Sequence, residues 1–156
     1  MVQETLTGKN LFLVEDDPLL QRLLTDKLLE LKGKGLKVHA ISTGEDALAI
    51  AKQTKPDLVL LDIVLPGMSG FEFLEQFRKE PASAKTPVVV LSNLNADTDK
   101  ERAKSLGVIA YLVKANFSLK EISGEVEKLL LGGDTMSASA EAPDIKKTSE
   151  GTIIYL

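Results

Sequence analysis

The chain has 156 residues, 44% hydrophobic and 27% charged, enough for one compact domain with a real core and too few for an easy second domain. Its formal charge of -4 argues against wrapping phosphate backbones by counterion release, so nucleic acid is not an expected partner. The lack of cysteine excludes a disulfide framework and thiolate chemistry, and the single His39 excludes a multi-histidine metal cage. No apolar run approaches the roughly 20 residues of a membrane span, so no membrane partner is expected and a soluble, cytoplasmic protein is the reading.

Five short apolar runs follow in chain order, at residues 11–14, 36–41, 58–61, 88–91 and 109–113. Four are nearly continuous, the pattern of strands buried on both faces of a parallel sheet. In the second, Lys37 and His39 alternate with Leu36, Val38 and Ala40, which predicts an edge strand with His39 exposed and outside any catalytic set.

Helical segments lie between the runs. Asp17 as N-cap and Pro18 at the first helical position open a helix in which Leu19, Leu20, Leu23, Leu24, Leu28 and Leu31 are expected to share one stripe. A second helix is predicted over about 45–53 behind Ser42 and Thr43. A third spans 70–79 behind Ser69, with Glu72 completing a capping box and Phe73, Leu74 and Phe77 as core. The fourth, 96–106, has only Ala96, Ala103 and Leu106 as apolar anchors and stops at Gly107, so it should be the least firmly packed. The fifth, 118–131, repeats the capping box with Ser118 and Glu121 and should bury Leu119, Ile122, Val126 and Leu129. This alternation predicts an α/β fold: a (βα)5, doubly wound, five-stranded parallel sheet in a three-layer sandwich with right-handed crossovers.

That domain is expected to end near residue 131, and residues 132–156 have the small, polar composition of a flexible tail. Its last five residues, TIIYL, are apolar and β-prone. They suit a strand added to an open sheet edge, a contact with a partner, or a frayed terminus.

Each long apolar run stops at a reactive side chain: Glu15-Asp16-Asp17 after the first, Asp62 after the third, Ser92 after the fourth and Lys114 after the fifth. In a parallel sheet these are all carboxyl ends, where open α/β folds place ligand sites, so the groups are expected to converge. Taken singly, each has a plain structural explanation as a cap, turn or surface residue. Their recurrence at successive strand ends does not. Clustered carboxylates remain ionised together only with a cation nearby, and a few carboxylates in an all-oxygen site suit Mg2+. A hydroxyl, an ammonium and a metal together match the charge distribution of a transferring phosphoryl group. Asp62, on the middle strand, is placed to act as a nucleophile that forms an acyl phosphate.

The segments LFLVEDD (11–17), PDLVLLDIVLPGMSG (56–70), PVVVLS (87–92) and AYLVKA (110–115) resemble, in order and spacing, the receiver domain of two-component response regulators, in its single-domain, chemotaxis-regulator-like form. The resemblance covers about residues 8–131 and implies the flavodoxin-like strand order 2-1-3-4-5. It implies Asp62 as phosphoacceptor, Asp16 as direct Mg2+ ligand, Glu15 as the second acid acting through water, and the main-chain carbonyl of Val64 as a further ligand. Asp17 is left as the cap. Ser92 matches the switch hydroxyl, Lys114 the phosphate-pairing lysine and Tyr111 the switch aromatic.

The function so implied is transfer of a phosphoryl group from a histidine kinase or histidine phosphotransfer protein, with signalling to a downstream effector protein by altered contacts, as a monomer or a phosphorylation-dependent homodimer. No enzymatic activity is expected beyond self-phosphorylation from a phosphodonor and slow autodephosphorylation. The fourth helix, fifth strand and fifth helix would form the output face.

Departures from the family pattern matter. Ala115 follows Lys114 where a cis proline is usual, and a cis non-proline bond costs about 3 to 4 kcal/mol, which puts strain on the expected reach of Lys114. Asn93, where a small residue is usual, is expected to crowd the phosphoryl pocket. Val64 and Leu94 are apolar and cannot orient a hydrolytic water, so a long-lived phosphoryl state is expected. The main alternative is a degenerate receiver acting as a phosphorylation-independent interaction module. A haloacid-dehalogenase-type phosphohydrolase would need a carboxylate where Val64 stands, and a flavin or nucleotide binder would need a phosphate-binding loop.

Overall fold

The computed structural model describes residues 8–30, 35–131, 145–147 and 152–155. Strands β1 (Asn10–Val14), β2 (Lys37–Ile41), β3 (Leu58–Leu61), β4 (Val88–Ser92) and β5 (Ala110–Val113) alternate with helices α1 (Pro18–Leu29), α2 (Gly44–Ala51), α3 (Gly70–Lys79), α4 (Asp97–Ser105) and α5 (Leu119–Leu130). The first five strands are parallel in the order 2-1-3-4-5, as expected. Two further strands, β6 (Ile145–Lys147) and β7 (Thr152–Tyr155), extend the sheet past β5, with β7 antiparallel to both neighbours. The TIIY segment therefore takes the sheet-edge course among its three expected courses, pairing Ile154 with Tyr111 and Tyr155 with Ala110. Of the tail expected to be flexible, 132–156, residues 145–147 and 152–155 form strands instead, because the open β5 edge offers them backbone partners, and the others lie outside the described residues.

Alternation along each strand divides the core in two. Leu11, Leu13, Leu58, Leu60, Val89, Leu91 and Leu112 pack with Leu24 and Leu28 of α1 and Ile122, Val126 and Leu130 of α5. On the other face Phe12, Val14, Val59, Leu61, Val90 and Tyr111 pack with α2, α3 and α4, where Phe73 and Phe77 stack at 5.0 Å between ring centroids. No helix among the described residues is long and apolar enough to cross a membrane.

The caps lie where the sequence placed them. Asp17 Oδ1 accepts the N–H groups of Leu19 and Leu20 at 3.0 and 3.4 Å, and Ser69–Glu72 and Ser118–Glu121 form reciprocal capping boxes. His39 sits on the edge strand, half-buried rather than exposed, with Nε2 2.9 Å from Asn10 Oδ1 and its ring edge-on to Phe12.

The α1 stripe differs from expectation. Leu24 and Leu28 are buried and Leu20 packs beside them, but Leu19 is 66% and Leu23 42% exposed. At 3.6 residues per turn, Leu19 and Leu23 are rotated roughly 100° or more from Leu24, outside the core-facing arc. Leu31 lies outside the described residues. On α5, Leu130 takes the buried place expected of Leu129, which is only partly buried.

Helix α4 buries only Ala103. Polar ties hold it instead: Arg102 bonds Glu75 at 3.0 Å and lies 4.4 Å above the Phe71 ring, while Arg78 donates to the carbonyls of Leu106 and Gly107 at 2.9 and 3.1 Å. Gly107 ends the helix with φ +78°, a conformation that costs a side chain energy but not glycine.

At Gly70, α3 comes close to the backbone that follows β3. A Cβ there would sit 2.6 Å from the Asp62 carbonyl oxygen and 2.6 Å from Ile63 Cα, both backbone atoms that cannot swing away. Gly70→Ala should lower stability by about 1 to 3 kcal/mol through overpacking and shift the residue that follows β3, measured by urea unfolding and by amide chemical shifts at Asp62 and Ile63.

Candidate functional site

Strand order reverses direction between β1 and β3, and the crevice at such a switch point lies beyond the carboxyl ends of the strands. Register sets the rest. Val14 pairs with Leu61, so Glu15 and Asp62 leave adjacent strands at the same level, with Asp62 N–H donating to the Val14 carbonyl at 2.9 Å. Ser92 pairs with Val113, which places Lys114 one position beyond the end of the β4–β5 ladder.

Glu15 and Asp62 are almost wholly buried, at 2% and 5% exposure, whereas Asp16 faces solvent. One oxygen from each of the three carboxylates lies within 4.8 Å of the others, a spacing that fits a hard divalent cation held by carboxylates and water. Lys114 Nζ donates to Glu15 at 2.6 Å and to Asp62 Oδ2 at 2.7 Å, so one ammonium bridges both buried acids. Asp62 Oδ1 accepts the Val64 N–H at 3.1 Å, Glu15 Oε2 accepts the Asp17 N–H at 3.0 Å, and Gln21 donates to the Glu15 carbonyl at 2.8 Å. Val64 itself is 58% exposed.

Burial pushes the Glu15 carboxyl above its ordinary range, against the opposing pull of Lys114 and the Asp17 N–H. Burial also acts to lower Lys114, but its hydrogen bonds to Asp62 and Glu15 outweigh that and hold the ammonium above its ordinary value. Every peptide bond among the described residues is trans, and Ala115 does not cost Lys114 its reach to either carboxylate.

Ser92 is fully buried, and its Oγ accepts the Leu94 N–H at 3.3 Å. Tyr111 is also fully buried, and its hydroxyl donates to the Leu94 carbonyl at 2.7 Å. Burial, with Asp99 and Asp62 nearby, pushes the Tyr111 phenol up to about 12, so it stays a donor at any physiological pH. The two peptide groups flanking Leu94 thus link Ser92 to Tyr111.

The structure brings Glu15, Asp16, Asp62, Val64, Ser92 and Lys114 to one end of the sheet, with Tyr111 connected through Leu94. Sequence reasoning missed Gln21, whose long side chain carries no local signal, and the part played by Asn93. Rather than simply filling the pocket, Asn93 accepts the Ala115 N–H at 3.1 Å. A readable clue was the alanine after Lys114, since alanine brings a donor that proline lacks.

Replacing Lys114 by Met should leave two buried carboxylates uncompensated and, in magnesium-free buffer at pH 7, cost about 3 kcal/mol. Without the ammonium, the folded-state pKa of Glu15 rises further above its unfolded value. The associated stability is then fully present below the unfolded pKa and lost as pH rises through the folded one. The Lys114→Met deficit should therefore be largest at neutral pH and shrink towards pH 4, as read by denaturant titrations across that range.

Comparison with known proteins agrees with this geometry. The family model for the response regulator receiver domain matches residues 11–127. The transcriptional activator protein PfeR of Pseudomonas aeruginosa is 38% identical over 126 residues, 81% of this chain but 39% of PfeR, so the chain spans about two fifths of that relative. Protein PilH of the same organism is 36% identical over 104 residues, covering 67% of this chain and 84% of PilH. The crystal structure of the phosphorylated cyanobacterial phytochrome response regulator RcpA superposes with a TM-score of 0.71 at 30% identity, covering 79% of this chain and 94% of that one. Receiver domains are signalling modules that act through phosphorylation rather than turnover enzymes, and they hold Mg2+ in an acidic site of this kind. With the family model matched from β1 into α5 and an acid cluster set at the switch point of the sheet, the chain belongs to the response regulator receiver domain family.

Proposed function

We propose that this receiver accepts a phosphoryl group on Asp62 from the phosphohistidine of a histidine kinase or histidine phosphotransfer protein. A carboxylate oxygen of Asp62 attacks phosphorus, the phosphorus–nitrogen bond breaks, and the electron pair leaves with the imidazole, giving an acyl phosphate. The single observation that carries the reading is the Lys114 ammonium bridging Glu15 and Asp62 at 2.6 and 2.7 Å. It offsets part of the acids' charge while the site is empty of phosphate, and it can turn to a phosphoryl oxygen without leaving the pocket.

Glu15, Asp16 and Asp62, with the Val64 carbonyl, would hold Mg2+, with Glu15 engaged through water. Bound there, Mg2+ would offset the negative charge carried by the phosphoryl oxygens. Ser92 donates its hydroxyl to another of those oxygens.

Signalling would run through Leu94. When Ser92 turns to the phosphoryl group, the Leu94 N–H loses its acceptor, and the carbonyl of the same residue is the partner of Tyr111. The equilibrium of Tyr111 and of α4, which is tied down by Arg102 and Arg78 rather than by a core stripe, then shifts. The effector would read the α4–β5–α5 face, where β7 now borders β5. The donor would dock beside α1, where the exposed Leu19 and Leu23 line a shallow depression with Asn93 and Ala115.

Incubation with a small-molecule phosphodonor and Mg2+ should add one phosphoryl group to the wild type and none to Asp62→Asn, read by intact mass. Uptake by neither would favour the phosphorylation-independent interaction module. Because Val64 and Leu94 are apolar, the phosphoryl group should persist several-fold longer on the wild type than on Val64→Asn/Leu94→Asn; equal lifetimes would remove these two positions from the account.

A further inference from the structure

We propose that Asn93 is a positioning residue for Lys114, holding the ammonium over the acids through the peptide that joins Lys114 to Ala115; this rests on the phosphoacceptor reading. The ladder between β4 and β5 ends at the pair Ser92–Val113. One position further, the main chains no longer pair, and the Asn93 side chain supplies the next link by accepting the Ala115 N–H at 3.1 Å. A peptide is planar, so fixing the N–H of residue 115 fixes the plane attached to Lys114 Cα, and with Val113 held in the ladder on the other side it limits the direction in which the lysine side chain leaves.

Among the described residues, few other contacts hold that peptide. On the far side of Lys114, β5 ends at Val113. On the near side, the turn from Lys114 to Asn116 is closed by a long bond from Phe117 N–H to the Lys114 carbonyl at 3.4 Å. The next firm anchors are the buried Phe117 ring and the Ser118 capping box. Ala115 is itself exposed.

Proline at 115 would have a restricted φ and no N–H to satisfy, whereas alanine brings both freedom and a donor. Asn93 answers both. It also binds the residue after the Ser92 hydroxyl to the residue after the Lys114 ammonium, so the two groups that would grip a phosphoryl oxygen are held in register.

The test uses the whole chain and two variants of similar bulk, so access to the pocket is not the variable. Asn93→Leu removes the acceptor, and Asn93→Asp keeps one. In the protein without phosphodonor, hydrogen exchange at the Ala115 amide, followed by NMR, should accelerate in Asn93→Leu and stay slow in Asn93→Asp. Phosphorylation by phosphoramidate with Mg2+ should slow by about 3- to 10-fold in Asn93→Leu, the scale of one hydrogen bond. On a Lys114→Met background the same substitution should make no further difference, which a merely structural role would not predict.

Unchanged Ala115 exchange overturns the inference, and so does faster exchange with an unaltered rate, or a rate loss that persists without Lys114. If the wild type itself takes up no phosphoryl group, the phosphoacceptor reading fails and this inference with it. The exchange data would then still show whether the Asn93 bond exists.

Discussion

Two carboxylates, Glu15 and Asp62, stand at the ends of neighbouring strands at almost complete burial, and the Lys114 ammonium between them is the contact on which the rest of this end of the molecule depends. Two like charges in such a place repel each other and destabilise the fold unless a cation intervenes. Lys114 comes from the strand two places away from β3, so the requirement can be met only when β3, β4 and β5 are in register. Folding the sheet and charging the site are therefore one event.

The surroundings are held by different kinds of contact on the two sides. Around the acids, Gly70 lets α3 approach the backbone of Asp62 closely, and Gln21, Asp17 and Val64 fix carboxylates and carbonyls with main-chain or side-chain bonds. Around α4, the helix contributes one buried alanine and is retained by guanidinium contacts from Arg102 and Arg78. The exposed Arg102–Glu75 pair is weaker than a buried apolar contact and is screened by salt. Leu94 lies between the two regimes, bonded to Ser92 on one side of the residue and to Tyr111 on the other.

The C-terminal strands add a feature outside the five-stranded plan. An unpaired β5 edge would offer a row of free backbone groups to other chains, and β7 covers the part of it at Ala110 and Tyr111. The strand that carries Tyr111 is thus paired on both sides, parallel to β4 and antiparallel to β7.

Much of this protein is written locally. The strand cores, the caps at Asp17, Ser69 and Ser118, the stop at Gly107 and the placement of acids, hydroxyl and lysine at strand ends all depend on residues within a few positions of one another, and they could be read directly. What only the tertiary structure decided involves partners far apart in sequence. The turn of Leu19 and Leu23 towards solvent depends on where α5 and the sheet leave room beside α1. The choice of β7 among three courses for TIIYL depends on an open edge at β5. The reach of Lys114 without a following proline, and the engagement of Asn93 with Ala115, span 52 and 22 residues respectively. Local propensity determines which elements form and where they end, because it acts over one or two turns of chain. Long-range register determines which side chains meet, because it exists only once the sheet is assembled.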